Sequence, residues 1–332
     1  MKQVKIISLI LGIFGLYLAL FVFTAGETKN ALAKNYCEAS LSTNSTDYLD
    51  PTSPDFDPTK AGHKNPKIDQ GVPPCCSHPY YHSVWRANSK DGKTWTKENK
   101  KLIDHASVPD MQIVNDKEIV YYVDGKYDTM NCRIKENGKL KPGKCRIYNF
   151  SGKKAWDPEV VKVDDYYRMY FMSPPSAFST ASETSKIKTA VSRDGINWLE
   201  EDSTALKGKM YIDPTVMKVG DKWIMVVSGD NEGLFWATST NGTTFKLKGK
   251  LKGSAQDGAS PHITKLSKKY ALYYCKAGIS MSLSKNAEKW SGERSILSSE
   301  QNQIICDPSV TRKNNGKYVM YYKVQEMTLP TM

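Results

Sequence analysis

The chain has 332 residues, 39% of them apolar, 11% aromatic and 25% charged, with a formal net charge of +12. That length suits one large all-β domain or two ordinary ones, and 19 tyrosines among the aromatics favour strands. Zinc-ligand spacing, a P-loop and a compact basic helix are all missing, which argues against a nucleic-acid module. The lysines are scattered through turns and strand ends, as on a solvated surface; an anionic polymer such as an acidic polysaccharide is the competing reading of the charge.

In chain order, Lys2 and Lys5 precede an uncharged apolar run from Ile6 to Ala25, long enough to span a bilayer. Ala31–Ala33 offers a cleavage point. Residues 1–33 are therefore expected to be a signal peptide or signal anchor, with the remainder exported: membrane-anchored if uncleaved, secreted or periplasmic if cleaved. Residues 34–80, with "DPTSPDFDPTK", read as a linker or N-terminal extension. Seven cysteines in an exported chain permit disulfides, and Cys132 and Cys145, flanking a predicted hairpin, are the best candidate pair. Cys75 and Cys76 are adjacent, so each is expected to bond elsewhere, with Cys37 as one option.

Residues 81–332 repeat. "VPDMQIVNDKEIVYYV", "WDPEVVKVDDYYRMYF", "IDPTVMKVGDKWIMVV", "SPHITKLSKKYALYYC" and "CDPSVTRKNNGKYVMYY" place prolines at 109, 158, 214, 261 and 308, at spacings of 49, 56, 47 and 47. A period near 50 with several strands per unit points to a β-propeller. A second element recurs as "SKDGKTW", "SRDGINW", "STNGTTF" and "SKNAEKW", with "KENGKL" at 135–140 as a diverged fifth copy. Asp-Gly and Asn-Gly supply the positive φ of tight hairpins, and the closing aromatic can pack between blades. One such hairpin precedes the first proline-led strand and none follows the last. The fold class is therefore all-β: a five-bladed β-propeller of four-stranded antiparallel blades. It is closed by the N-terminal hairpin completing the C-terminal blade, which removes exposed sheet edges.

In such a ring the proline-led strand is innermost, and the residues before the prolines converge: Val108, Asp157, Asp213, Ser260 and Asp307. One step after the prolines stand Asp110, Glu159, Thr215, His262 and Ser309. Like-charged carboxyls in a partly dry pocket raise one another's pKa, and a carboxyl pair split into acid and base is the chemistry of glycoside hydrolysis. Asp-Pro at a strand start is equally good turn chemistry. Asp157, Asp213, Asp307, Glu159 and Glu232 are the candidate catalytic residues. Asp110, His262 and Trp156 are the candidate substrate-binding residues, with Trp156 able to stack on a sugar or to pack between blades.

The "DPxV…GKYVMYY" and "SPHI…KKYALYY" stretches resemble the five-bladed propeller glycosidases of glycoside hydrolase family 43 and the related levansucrase–invertase clan, over roughly residues 82–325. The resemblance implies an aspartate base, a second aspartate that tunes pKa and orients substrate, and a glutamate acid, each from a different blade. The family's Asp-Pro positions match Asp157-Pro158, Asp213-Pro214 and Asp307-Pro308. Its Glu-Gly-Pro-His acid motif meets "ASPHI", where Ala259 stands in place of the glutamate and Pro261 and His262 are kept. The acid then falls to Glu159, Glu232 or His262. The expected protein is a monomer acting on an oligo- or polysaccharide with no metal, cofactor or nucleic acid; the alternative is a non-catalytic propeller that binds glycan or an envelope protein.

Overall fold

A computed structural model describes residues 78–327, apart from 153, 175–183, 209, 230 and 231. The apolar N-terminal run, its cleavage point, Cys37, Cys75 and Cys76 lie outside the described residues. Each proline-led stretch is the first two strands of a sheet, joined by a tight turn such as Asn115-Asp116, where both residues have positive φ (47° and 64°). Blade I comprises Ala106–Val114, Lys117–Asp124, Thr129–Glu136 and Lys139–Pro142. Blade II comprises Trp156–Val163, Tyr166–Ser173, Ser185–Ser192 and Asn197–Gly208, with Arg146–Tyr148 added in parallel at its outer edge. Blade III comprises Ile212–Val219, Lys222–Gly229, Gly233–Ser239 and Lys246–Lys250; blade IV comprises Ala259–Leu266, Lys269–Cys275, Gly278–Ser284 and Ser291–Ser298.

Blade V is built from both ends of the repeat region. Gln303–Arg312 and Tyr318–Glu326 are its inner strands, and His82–Ser89 and Thr96–Lys97 complete it, with Ile103–Asp104 also paired to His82–Ser89. His82–Ser89 pairs antiparallel with Tyr318–Glu326 from His82 opposite Gln325 to Ser89 opposite Tyr318. The expected five-bladed ring and its closure are both present.

The near-continuous apolar runs of the second strands follow from this stacking, because each blade is covered on both faces. Tyr167, Met169 and Phe171 point into the core shared with blade I, whereas Tyr170 and Met172 point into the core shared with blade III. Five such cores lie between successive blades, and the fifth joins Val319 and Tyr321 of blade V to Met111, Val120 and Tyr122 of blade I. The Ser-x-Asp/Asn turns lock the blades from the side. Ser192 Oγ accepts from Gly195 N at 2.9 Å, and Asp194 Oδ1 accepts from Ile196 N and Asn197 N at 2.8 Å. Tyr121 of blade I then donates to the carbonyl of Gly195 at 2.8 Å, and its ring meets Trp198 edge-on at 5.8 Å. Tyr170 with Gly242 and Phe245, and Tyr273 with Gly92 and Trp95, repeat the arrangement. The closing aromatic of the motif is thus an inter-blade wedge.

The expected Cys132–Cys145 disulfide is formed. A second one, Cys275–Cys306, joins the inner strands of blades IV and V. Among the described residues, no helix is long and apolar enough to cross a membrane.

Candidate functional site: the mouth of the central channel

The pairing of first and second strands slips at the same place in all five blades: between Ser107 and Asp110, Trp156 and Glu159, Ile212 and Thr215, Ala259 and His262, and Cys306 and Ser309. Proline has no N–H to give the ladder, so the strand bulges there. The residue before each proline is forced into the left-handed region: Val108 φ 43°, Asp157 52°, Asp213 47°, Ser260 43° and Asp307 49°. Aspartate tolerates this conformation; a β-branched valine does so at a cost of roughly 1–2 kcal/mol. The bulge aims these side chains at the channel axis. With the five prolines, Glu159 and His262, they line one cavity of about 20 Å³, room for about one water.

Asp157, Asp213 and Asp307 meet there in different electrostatic settings. Burial pushes the Asp157 carboxyl well above the usual aspartate range, and the charge of Asp213 adds to it. Asp213 is half-buried and is pushed up to about 6 by desolvation and then by Asp307, against hydrogen bonds donated by Ser260 Oγ (3.0 Å) and Ser228 Oγ (3.2 Å). Burial would raise Asp307 as well, but Lys323 Nζ lies 2.9 Å from its Oδ2 and outweighs it, holding the carboxyl below the usual range. The pKa values of three neighbouring carboxyls are thereby driven apart.

Beneath the mouth, the residues after the prolines form a buried hydrogen-bonded belt. Met111 N donates to Ser309 Oγ (3.0 Å), Val160 N to Asp110 Oδ2 (2.8 Å), Val216 N to Glu159 Oε1 (2.9 Å) and Ile263 N to Thr215 Oγ1 (2.9 Å). Each bond runs from one blade to the side chain of the blade before it. His262 completes the circuit differently, with Nε2 donating to Val310 O at 3.0 Å. Ser309 Oγ donates to Asp110 Oδ1 (2.9 Å), Thr215 Oγ1 to Glu159 Oε1 (2.9 Å), and His262 Nδ1 stands 3.5 Å from Glu159 Oε2. Burial and then Glu159 raise Asp110 to about 7; burial opposes charge on His262, but Glu159 and Asp110 outweigh it and push its pKa up. Asp110, Glu159 and His262 offer ligand atoms within 4.8 Å of one another, a set able to hold a cation, although their oxygens already serve the belt.

Of the candidate residues, the fold therefore brings Asp157, Asp213, Asp307, Glu159 and His262 to one cavity and places Asp110 in the belt beside it. Trp156 packs against the core between blades II and III, while its Nε1 donates to Asp128 O of blade I at 2.7 Å. Glu232 is exposed on the turn before Gly233–Ser239, away from the cavity lining, and its charge acts on Tyr211. Lys323, Ser228 and the Cys275–Cys306 disulfide were not foreseen. Lys323, Ser228 and Cys275 lie on second strands and Cys306 on the first strand of blade V, and the register that puts Lys323 opposite Cys306 and Cys275 opposite Ala259 is what brings them to the mouth.

Among solved structures, an α-L-arabinofuranosidase from Lactobacillus brevis superposes with a TM-score of 0.53 at 15% identity, covering 68% of this chain and 86% of that one. An exo-1,5-α-L-arabinanase from a bovine ruminal metagenomic library gives 0.52 at 15% identity, over 66% and 91%. A GH43_1 enzyme from Xanthomonas citri complexed with xylose gives 0.51 at 11% identity, over 66% and 85%. The chain has the fold of these propellers. At such identities the likeness is one of fold, carried by a divergent sequence. No protein-family profile and no curated protein matches the chain.

Proposed function

We propose that the protein is a glycoside hydrolase acting on an oligo- or polysaccharide at the channel mouth. The observation that carries this reading is the convergence of Asp157, Asp213 and Asp307 on one cavity with their pKa values driven apart, because carboxyls split in this way can serve as acid and base. Asp157, which retains its proton, donates to the departing glycosidic oxygen. Asp307, kept ionised by Lys323, takes a proton from the attacking water, and that water's oxygen bonds to the sugar. Asp213 tunes the pair and orients the sugar. In this assignment an aspartate supplies the acid that the Ala259 position does not. Structural neighbours named as an arabinanase and an arabinofuranosidase, and one complexed with xylose, make pentose glycans the first substrates to try. The apolar run from Ile6 to Ala25 supports action outside the cytoplasm, anchored or released.

A second reading, glycan binding without hydrolysis, is favoured by one observation: the cavity at the carboxyls has room for little more than a water. Initial rates on aryl α-L-arabinofuranosides and β-D-xylosides, with oligosaccharide binding measured in parallel, separate the two. Turnover by the wild type that falls at least about 10³-fold in Asp157→Asn and Asp307→Asn, with binding retained, supports the hydrolase. Binding with no turnover by the wild type establishes the second reading instead, and neither binding nor turnover overturns both.

A further inference from the structure

Asp307 has a second partner that does not belong to its own blade. Ser107 Oγ, on the first strand of blade I, donates to Asp307 Oδ2 at 3.4 Å. Ser107 Oγ is in turn 2.8 Å from Nδ1 of His82, at the start of the strand that closes the ring. All three residues are buried, at 3% exposure for His82, 2% for Ser107 and 4% for Asp307. Burying a histidine, a hydroxyl and a carboxylate together is costly unless each satisfies the next. The chain joins residues 25 and 200 positions apart, so it exists only once His82–Ser89 has paired with Tyr318–Glu326.

We propose that Ser107 and His82 are positioning residues for Asp307, which they orient toward the channel mouth through the hydrogen-bond chain His82–Ser107–Asp307. The inference rests on the hydrolase reading for its consequence in turnover, but not for its physical content. Ring closure then has two effects: it removes sheet edges, and it completes the surroundings of the mouth carboxylate. Besides Ser107, Asp307 faces Lys323 of its own blade, the hydroxyl of Ser260 in blade IV, and Asp157 and Asp213 across the mouth, and His82 acts on it through its charge. The hydroxyl bond to the charged carboxylate and the charge of His82 both favour the ionised form.

The test uses Ser107→Ala and His82→Leu, which break the chain, beside Ser107→Thr and His82→Asn, which keep a hydroxyl and a polar atom near the position of Nδ1. Carboxyl titration of Asp307 in ¹³C-aspartate-labelled protein reads the chain without needing a substrate. The breaking variants are expected to titrate Asp307 at higher pH than wild type, and the conservative variants to restore it. If the protein hydrolyses glycosides, kcat falls about tenfold in the breaking variants with KM little changed. Unchanged Asp307 titration in folded Ser107→Ala would overturn the proposal whatever the turnover. Shifted titration without any wild-type turnover would uphold the chain and sink only the hydrolase reading.

Discussion

Replacing Lys323 with methionine isolates the electrostatics of the mouth. The substitution keeps the length and packing of the side chain but removes the cation 2.9 Å from Asp307, whose side chain is 3% exposed against 14% for Lys323. Breaking a buried ion pair by deleting one partner costs about 3–5 kcal/mol, because the remaining charge is uncompensated. Lys323 keeps some contact with solvent and Asp307 can take up a proton, so the lower end, about 3 kcal/mol at pH 7, is expected. The loss depends on pH with a definite sign. In the wild type the Asp307 carboxyl sits below its ordinary value of 3.8, so its stabilisation is complete above that pH and is lost as the pH falls through its depressed titration. In the variant, burial is left to raise it, so stability is fullest at acid pH and is lost as the pH rises. The gap between the two proteins therefore narrows on acidification. Urea unfolding at pH 7 and pH 4 measures it. An equal loss at both pH values would refute the ion-pair argument, leaving a packing defect as the cause.

Three further outcomes follow from the same geometry. Val108→Asn replaces a β-branched residue held at φ 43° with one that tolerates it, and should stabilise by about 1 kcal/mol, read as a Tm raised by a few degrees. Gly195→Ala would place a Cβ 2.7 Å from Tyr121 Oη and 2.9 Å from Val114 at φ +72°, costing about 2–4 kcal/mol, whereas Gly220→Ala at φ +60°, with nothing within 4 Å, should cost about 1 kcal/mol; equal losses in thermal melts would contradict the inter-blade lock. Replacing both Cys275 and Cys306 with alanine, at a separation of 31, should cost about 3–4 kcal/mol in urea while the strand content by circular dichroism is kept, since the ring is also closed by packed cores; a loss below about 1 kcal/mol would go against the chain-entropy argument.

The ring was legible because its instructions are local and repeated. Each X-Pro marks a bulge, each Ser-x-Asp/Asn marks a turn, and the unpaired hairpin at Ser89 predicts how the ends meet. The convergence of Asp157, Asp213 and Asp307 followed from that repetition alone. What could not be read depends on register and on neighbours distant in sequence. Lys323 looks like any polar interruption in "YVMYYKVQE" until pairing sets it opposite Cys306, beside the bulge that carries Asp307. Ser107 and His82 belong to other strands of the ring, and only ring closure makes them neighbours of Asp307. Glu159 and Asp110 show the converse. Their spacing marked them as candidate site residues, and in the fold their oxygens are bonded to backbone amides of the next blade, a use that no single-blade pattern reveals.

The central claim is that one mouth holds three aspartates whose titrations are driven apart. Carboxyl titration of ¹³C-aspartate-labelled protein, with Asp157→Asn, Asp213→Asn and Asp307→Asn used for assignment, tests it most directly. The account predicts three separated transitions: Asp307 below the ordinary aspartate range, Asp213 near 6 and Asp157 above the ordinary range. Three carboxyls titrating together near 3.8 would contradict it.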